Sequence, residues 1–238
     1  MCGRFTLVAN PEDLMDRFGL DEITLDLPPR YNIAPSQLVP VILEINGQRI
    51  LREFRWGLIP GWAKDSKVGS RMINARAETL LQKPAFGRLL LSKRCIIPSD
   101  GFFEWKRVGE QKHPKRITLI DEALFAMAGL YDLWRSPEGD IHQTFTIITT
   151  QPNELMSTIH NRMPAILHPE NEADWLNPEE SDPEFLQALL APFPSDAMKA
   201  YSVHPMVGNP RNDSWECIQE IEDPDRGEEQ LSFFKKKL

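Results

Sequence analysis

The residues with the most distinctive chemistry stand at the amino end, Met1-Cys2-Gly3. Initiator methionine is normally removed ahead of a small second residue, and cysteine qualifies. Removal of Met1 would leave an α-amine and a thiol on adjacent carbons. Their ordinary pKa values, about 7.7–8.0 and about 8.5, provide a usable fraction of each nucleophilic form at neutral pH. Such a 1,2-aminothiol condenses with an aldehyde in two steps. The amine forms a Schiff base, and the thiol then adds to the same carbon and closes a thiazolidine ring. The same end also suits an N-terminal nucleophile that attacks an amide. Position alone favours the plainest reading, a small apolar residue in an edge strand.

Other residue types add to the set. Glu104 lies in Gly101-Phe102-Phe103-Glu104-Trp105, where period two puts Phe103 and Trp105 on one face and Glu104 with Phe102 on the other. An exposed face or an ion pair with an arginine would account for it equally. His160 follows a short apolar stretch and has a side chain suited to proton transfer near neutrality. Asn74 is a neutral donor and acceptor of hydrogen bonds. Arg4, Arg76 and Arg162 can fork onto phosphate oxygens or form routine ion pairs. Trp62, in Pro60-Gly61-Trp62, suits stacking on a base, whereas Trp56 is expected in the core. Cys2, Cys95 and Cys217 are far apart, with no Cys-x-x-Cys or His-x-x-x-His, and no Gly-rich phosphate loop exists. No metal and no cofactor are expected.

Positioning these groups requires a framework, and 238 residues with 41% hydrophobic content can bury one sizeable core. Twenty prolines and many short apolar runs point to strands and loops rather than a bundle. Strands are predicted over Gly3–Val8, Leu38–Ile45, Arg49–Trp56, Arg94–Ile97, Gly101–Lys106, Lys115–Ile120, Ala123–Trp134, His142–Thr149 and Ala200–Val203. Asn46-Gly47 signals a hairpin between the second and third of these. A helix capped by Asn10 with Pro11 in its first turn is predicted to end at Gly19. Helices are also predicted over Ala75–Leu81, Pro84–Leu91, Pro152–Ile159, Asp174–Leu176 and Pro183–Leu190, and 30–35 is read as extended loop. The fold expected is one α+β domain with a mainly antiparallel, barrel-like β core over 1–221 and a flexible charged tail over 222–238.

Net charge is −8, but it is unevenly spread. Residues 1–116 carry 19 Lys and Arg against 13 Asp and Glu, and the remaining 122 residues carry 8 against 22. A basic front half can offer phosphates a local surface, because the field in a groove follows nearby charges. An ordinary mixed-charge surface with an acidic rear half fits as well. No apolar run approaches the roughly 20 residues of a membrane span, and no signal peptide is read. With an odd number of cysteines, a reduced, cytoplasmic protein without a membrane partner is expected.

Several separated blocks carry a resemblance: Met1-Cys2-Gly3-Arg4-Phe5, Arg30-Tyr31-Asn32-Ile33-Ala34-Pro35, Trp56-Gly57-Leu58-Ile59-Pro60, Asn74-Ala75-Arg76-Ala77-Glu78-Thr79, Arg94-Cys95-Ile96-Ile97-Pro98, Gly101-Phe102-Phe103-Glu104-Trp105, His160-Asn161-Arg162-Met163-Pro164 and His204-Pro205 with Val207-Gly208-Asn209. In order and spacing the chain resembles the SOS response-associated peptidase family of abasic-site-processing proteins, from Cys2 to about Asn212. It departs at Ala63, where a second aromatic can follow Trp62. The resemblance implies covalent capture of abasic sites in single-stranded DNA through Cys2, with strand junctions as a further substrate, and a peptidase activity linked to release of Met1. It assigns Cys2, Asn74, Glu104 and His160 to catalysis, Glu104 as acid/base at the Cys2 amine and His160 in opening the sugar ring. Arg4, Asn32, Pro35, Trp62, Arg76 and Arg162 fall to DNA binding, His204 to structure, and the expected state is a monomer. An N-terminal-nucleophile amidohydrolase and a non-catalytic single-stranded DNA-binding module are the competing readings.

Overall fold

The computed structural model describes residues 2–224; Met1 and the stretch from 225 onward, most of the expected tail, lie outside the described residues. Its strands in chain order are β1 (Phe5–Leu7), β2 (Arg30–Ile33), β3 (Leu38–Ile45), β4 (Gln48–Trp56), β5 (Asn74–Arg76), β6 (Arg94–Ser99), β7 (Gly101–Val108), β8 (Gln111–Leu119), β9 (Phe125–Arg135), β10 (Ile141–Thr150), β11 (Met163–Pro164), β12 (Ile166–Leu167) and β13 (Met198–Ser202). The α-helices are short: α1 (Pro11–Phe18), α2 (Gly87–Ser92), α3 (Glu154–Ser157), α4 (Glu172–Leu176) and α5 (Pro183–Ala188). No helix among the described residues is long and apolar enough to cross a membrane.

Local chemistry sets the boundaries of several elements. The Asn10 side chain accepts from the Asp13 N–H to start α1, and Gly19 ends it in the left-handed region at φ 63°. Asn46 and Gly47 both take positive φ, the requirement of a tight hairpin turn, and β3 and β4 pair in register from Leu38↔Arg55 to Ile45↔Gln48.

Five strands close on themselves in the order β10-β4-β3-β6-β9, with β9 returning to β10, so a closed five-stranded barrel lies at the centre. Closure removes the sheet edges that would otherwise invite foreign strands. All its pairs are antiparallel except β10 with β4, whose strands run parallel. A second, antiparallel sheet of five strands, β13-β8-β7-β1-β2, packs against the barrel. Phe5, Phe102 and Ile117 join the main core, while Phe103 packs with Val203, Val207 and Cys217 in a smaller cluster. This is the α+β architecture the sequence predicts.

Two expectations change. Residues 30–33 are strand, not loop, because Asp213 caps the N–H groups of Tyr31 and Asn32 and β1 pairs alongside. Residues 75–81 are not a helix. Asn74–Arg76 is drawn out as β5 by parallel pairing with β10, leaving one 3-10 turn over Ala77–Thr79.

Gly129 sits where the barrel has no spare volume. A Cβ there would run into Ile97 Cδ1 and stand 3.0 Å from both Cys95 Sγ and the Thr146 carbonyl oxygen. Gly129→Ala is therefore expected to cost about 1–3 kcal/mol of stability by overpacking. Urea unfolding of the two chains measures it, and an unchanged midpoint would mean that β9 yields without penalty.

Candidate functional site

Alternation along β7 decides where Glu104 points. Phe102 faces the main core and Phe103 the smaller cluster, so Glu104 returns to the Phe102 side, where it is 3% exposed. The chain ahead of β1 runs antiparallel beside this strand. Phe5 opposes Phe102, and the Phe103 N–H donates to the Arg4 carbonyl at 2.9 Å. Continuing that register carries Cys2 alongside Glu104 and Trp105. Cys2 is fully buried, and its thiol is pushed far above the ordinary thiol range, first by burial and then by the negative charge of Glu104.

His160 arrives from another direction, just after α3, whose N-cap is Asn153. Its Nδ1 lies 4.0 Å from Glu104 Oε1. The same nitrogen lies 3.1 Å from the Arg162 backbone nitrogen. Glu104 and His160 sit in a cleft of about 690 Å³ that Trp105, Arg107, Lys112, Ile159, Asn161 and Gly208 also line. A buried nucleophile, a buried carboxylate and an imidazole therefore meet in one place. A larger cavity of about 780 Å³, around Asp100, Arg116 and Tyr201, is lined by no cysteine, serine, lysine or histidine and shares no lining residue with this cleft.

β10 organises a second group. Thr149 is flanked by Arg76 on β5 and Pro164 on β11, which brings the segments carrying Asn74, Arg76 and Arg162 to one end of the strand. Both polar atoms of the Asn74 amide are buried without a hydrogen-bond partner among the described residues. An amide left unsatisfied costs roughly 1–3 kcal/mol, a penalty that a bound polar ligand would relieve. Arg162 forks onto Glu78 at 2.6 and 2.9 Å and reaches the Thr149 carbonyl at 2.5 Å. That fork holds the Glu78 carboxyl below its usual range. Arg76 is exposed, and its charge adds to the lowering of Glu78.

The remaining expected DNA contacts are less alike. Arg4 donates to Asn32 Oδ1 at 3.0 Å and to the Val207 and Gly208 carbonyls at 2.7 and 3.1 Å. The buried Asn32 amide donates to the Val207, Asn209 and Asn212 carbonyls. Asn32, which the resemblance assigns to DNA binding, ties β2 to residues 207–212, with its donors and acceptor filled from inside the protein. Pro35 is half-buried in the turn before β3, next to Ser36 at φ 72°. Trp62 is 66% exposed and does not line the Glu104 cleft. Its loop is pinned from β9, by Gly61 N–H to Asp132 at 2.7 Å and by Trp134 Nε1 to the Ala63 carbonyl at 2.7 Å. His204 is a local cap, its Nδ1 accepting from the Met206 N–H.

Arg107, Lys112 and Asn161 were not picked out from the sequence, nor was Glu78 as the partner of Arg162. The hairpin pairing of β7 with β8 is the signal that would have set Lys112 opposite Arg107.

The family model described as SOS response associated peptidase matches residues 1–210. The abasic site processing protein YoqW of Bacillus subtilis is 52% identical over 222 residues, spanning 92% of this chain and 99% of its own. The abasic site processing protein HMCES of Gallus gallus is 34% identical over 226 residues, 82% of this chain and 67% of its own. A crystal structure of a protein from Bacteroides thetaiotaomicron superposes with a TM-score of 0.82 at 33% identity, covering 92% of this chain and 100% of that one.

Proposed function

Because this chain belongs to the SOS response associated peptidase family, we propose that it captures abasic sites in single-stranded DNA covalently on Cys2 once Met1 is gone. The observation that supports this most directly is the buried Glu104 carboxylate set against Cys2, with His160 Nδ1 4.0 Å from its Oε1.

Hydrolysis of the Met1–Cys2 bond takes up one water and frees the amine. In its open form an abasic sugar presents an aldehyde at C1′. The Cys2 amine adds to that carbon, and the carbinolamine loses water to give a protonated Schiff base. Glu104 handles these protons. The thiol then adds to the same carbon and gives up its proton, closing the thiazolidine with release of one water overall. Burial and the charge of Glu104 favour the protonated thiol. A cationic iminium beside it favours the thiolate, so the sulfur is activated at the step that needs it. Ring closure removes the iminium, which would otherwise acidify the C2′ proton and lead to β-elimination. The strand stays whole.

A denaturing gel of Met1-free protein with an abasic oligonucleotide tests the reading. A heat-stable shifted band is expected. Glutaminase activity without a band would favour an amidohydrolase, and affinity without a band a passive binding module.

The charges at the end of β10 give a paired prediction. Arg76→Ala should lower the salt dependence of binding by roughly one phosphate, a slope change of about 0.7 for a single strand. Glu78→Gln should do the reverse, because it removes an anion and frees the Arg162 fork for phosphate. Salt titrations by fluorescence anisotropy check both. Two slopes equal to wild type would make this cluster structural only.

A further inference from the structure

β7 and β8 form a hairpin in which Arg107 directly opposes Lys112, and Lys106 opposes His113 one step nearer the core. Opposed residues project from one face with Cβ atoms roughly 4.5–5.5 Å apart, and like charges in that position destabilise a strand pair. Both Arg107 and Lys112 are exposed, and neither has an ion pair among the described residues. Among the described residues, then, a repulsive pair is kept without an acid paired to it.

Its location makes this informative. Arg107 and Lys112 line the same cleft as Glu104 and His160. The register of β1 with β7, continued through the Phe103 N–H to Arg4 carbonyl bond, brings Cys2 level with Glu104 and Trp105, so the hairpin runs on past Cys2. Whatever is joined to Cys2 meets the hairpin next. An anion there would remove the repulsion and gain two charge-assisted contacts, a guanidinium fork and an ammonium.

We infer that the Arg107–Lys112 pair is a phosphate clamp for single-stranded DNA as it leaves the cleft on one side of the captured sugar. The inference rests on the proposed function, which puts that sugar at Cys2. The spacing of the pair lets both cations share one phosphate or hold neighbouring ones.

The test uses the full chain and two fluorescent single strands, one with a natural abasic site and one with tetrahydrofuran, which has no aldehyde to capture. With the tetrahydrofuran strand, R107A/K112A should lower the slope of log affinity against log salt by about 0.7 for a shared phosphate or about 1.4 for two. R107K/K112R, which keeps both charges, should retain the wild-type slope. With the natural site, the loss should fall on the half-saturating DNA concentration rather than on the saturating capture rate. A wild-type slope in R107A/K112A overturns the clamp, as does a loss confined to the saturating rate. The tetrahydrofuran arm needs no chemistry. Absence of any covalent product from wild type would therefore sink the capture reaction while the slopes still decide the clamp.

Discussion

A Cys2→Ala chain is expected to give no heat-stable product with an abasic oligonucleotide, and Cys2→Ser only a labile one, while both keep most of their affinity for undamaged single strands. The reason lies in the second step. An amine alone can reach the Schiff base, but that species is reversible and leads to strand breakage. Only sulfur on the adjacent carbon closes the ring. Intramolecular closure of this kind has an effective molarity on the order of 10⁵ M or more, so millimolar free thiol added to Cys2→Ala cannot replace it. Affinity survives because exposed cations such as Arg76, Arg107 and Lys112 lie outside the substitution. The site is fully buried, so unfolding curves of both variants should accompany the gel. A heat-stable band of normal yield from Cys2→Ala would end the mechanism.

The parts of this arrangement that were legible in the sequence are those set by neighbouring residues. Asn10, Pro11 and Gly19 mark α1 because caps act within one turn, and Asn46-Gly47 marks the β3–β4 turn because both must take positive φ. The side of β7 on which Glu104 lies follows from period two. What stayed hidden is non-local. Parallel pairing of β10 with β4 and β5 joins residues some 70 to 90 positions apart, and no local pattern announces it. That pairing is also what converts Ala75 and Arg76 from predicted helix into strand. Arg162 meets Glu78 across 84 residues, and Arg4 meets Val207 across 203. Arginine types alone could not separate a latch from a phosphate contact, since either use needs the same fork. The cleft itself was recoverable only from the matched blocks, whose shared order gathers Cys2, Glu104 and His160.

Glu104 and His160 share one cleft, yet substituting them should have different consequences. Glu104→Gln is expected to slow capture of a natural abasic site and of a simple aliphatic aldehyde alike, by about 10²–10⁴-fold, the usual contribution of general acid–base assistance. Both reactions pass through the same carbinolamine. His160→Ala should slow only the natural site, whose sugar is mostly ring-closed and must open before it offers an aldehyde. The sign of the Glu104 effect carries extra weight. Its charge raises the Cys2 thiol, so on electrostatics alone Gln would make the thiolate easier to form and speed ring closure. A decrease in rate therefore reports lost proton transfer and not a change in the field at sulfur. Glutamine also keeps the volume of a residue only 3% exposed, which limits repacking. The 4.0 Å separation of His160 Nδ1 from Glu104 Oε1 couples the two groups, and the double variant should fall short of the summed single effects on the natural site. Single-turnover rates for the four chains with the two aldehydes give the answer. Equal slowing of both aldehydes by His160→Ala would remove its ring-opening role, and faster capture by Glu104→Gln would remove the acid–base role of the carboxylate.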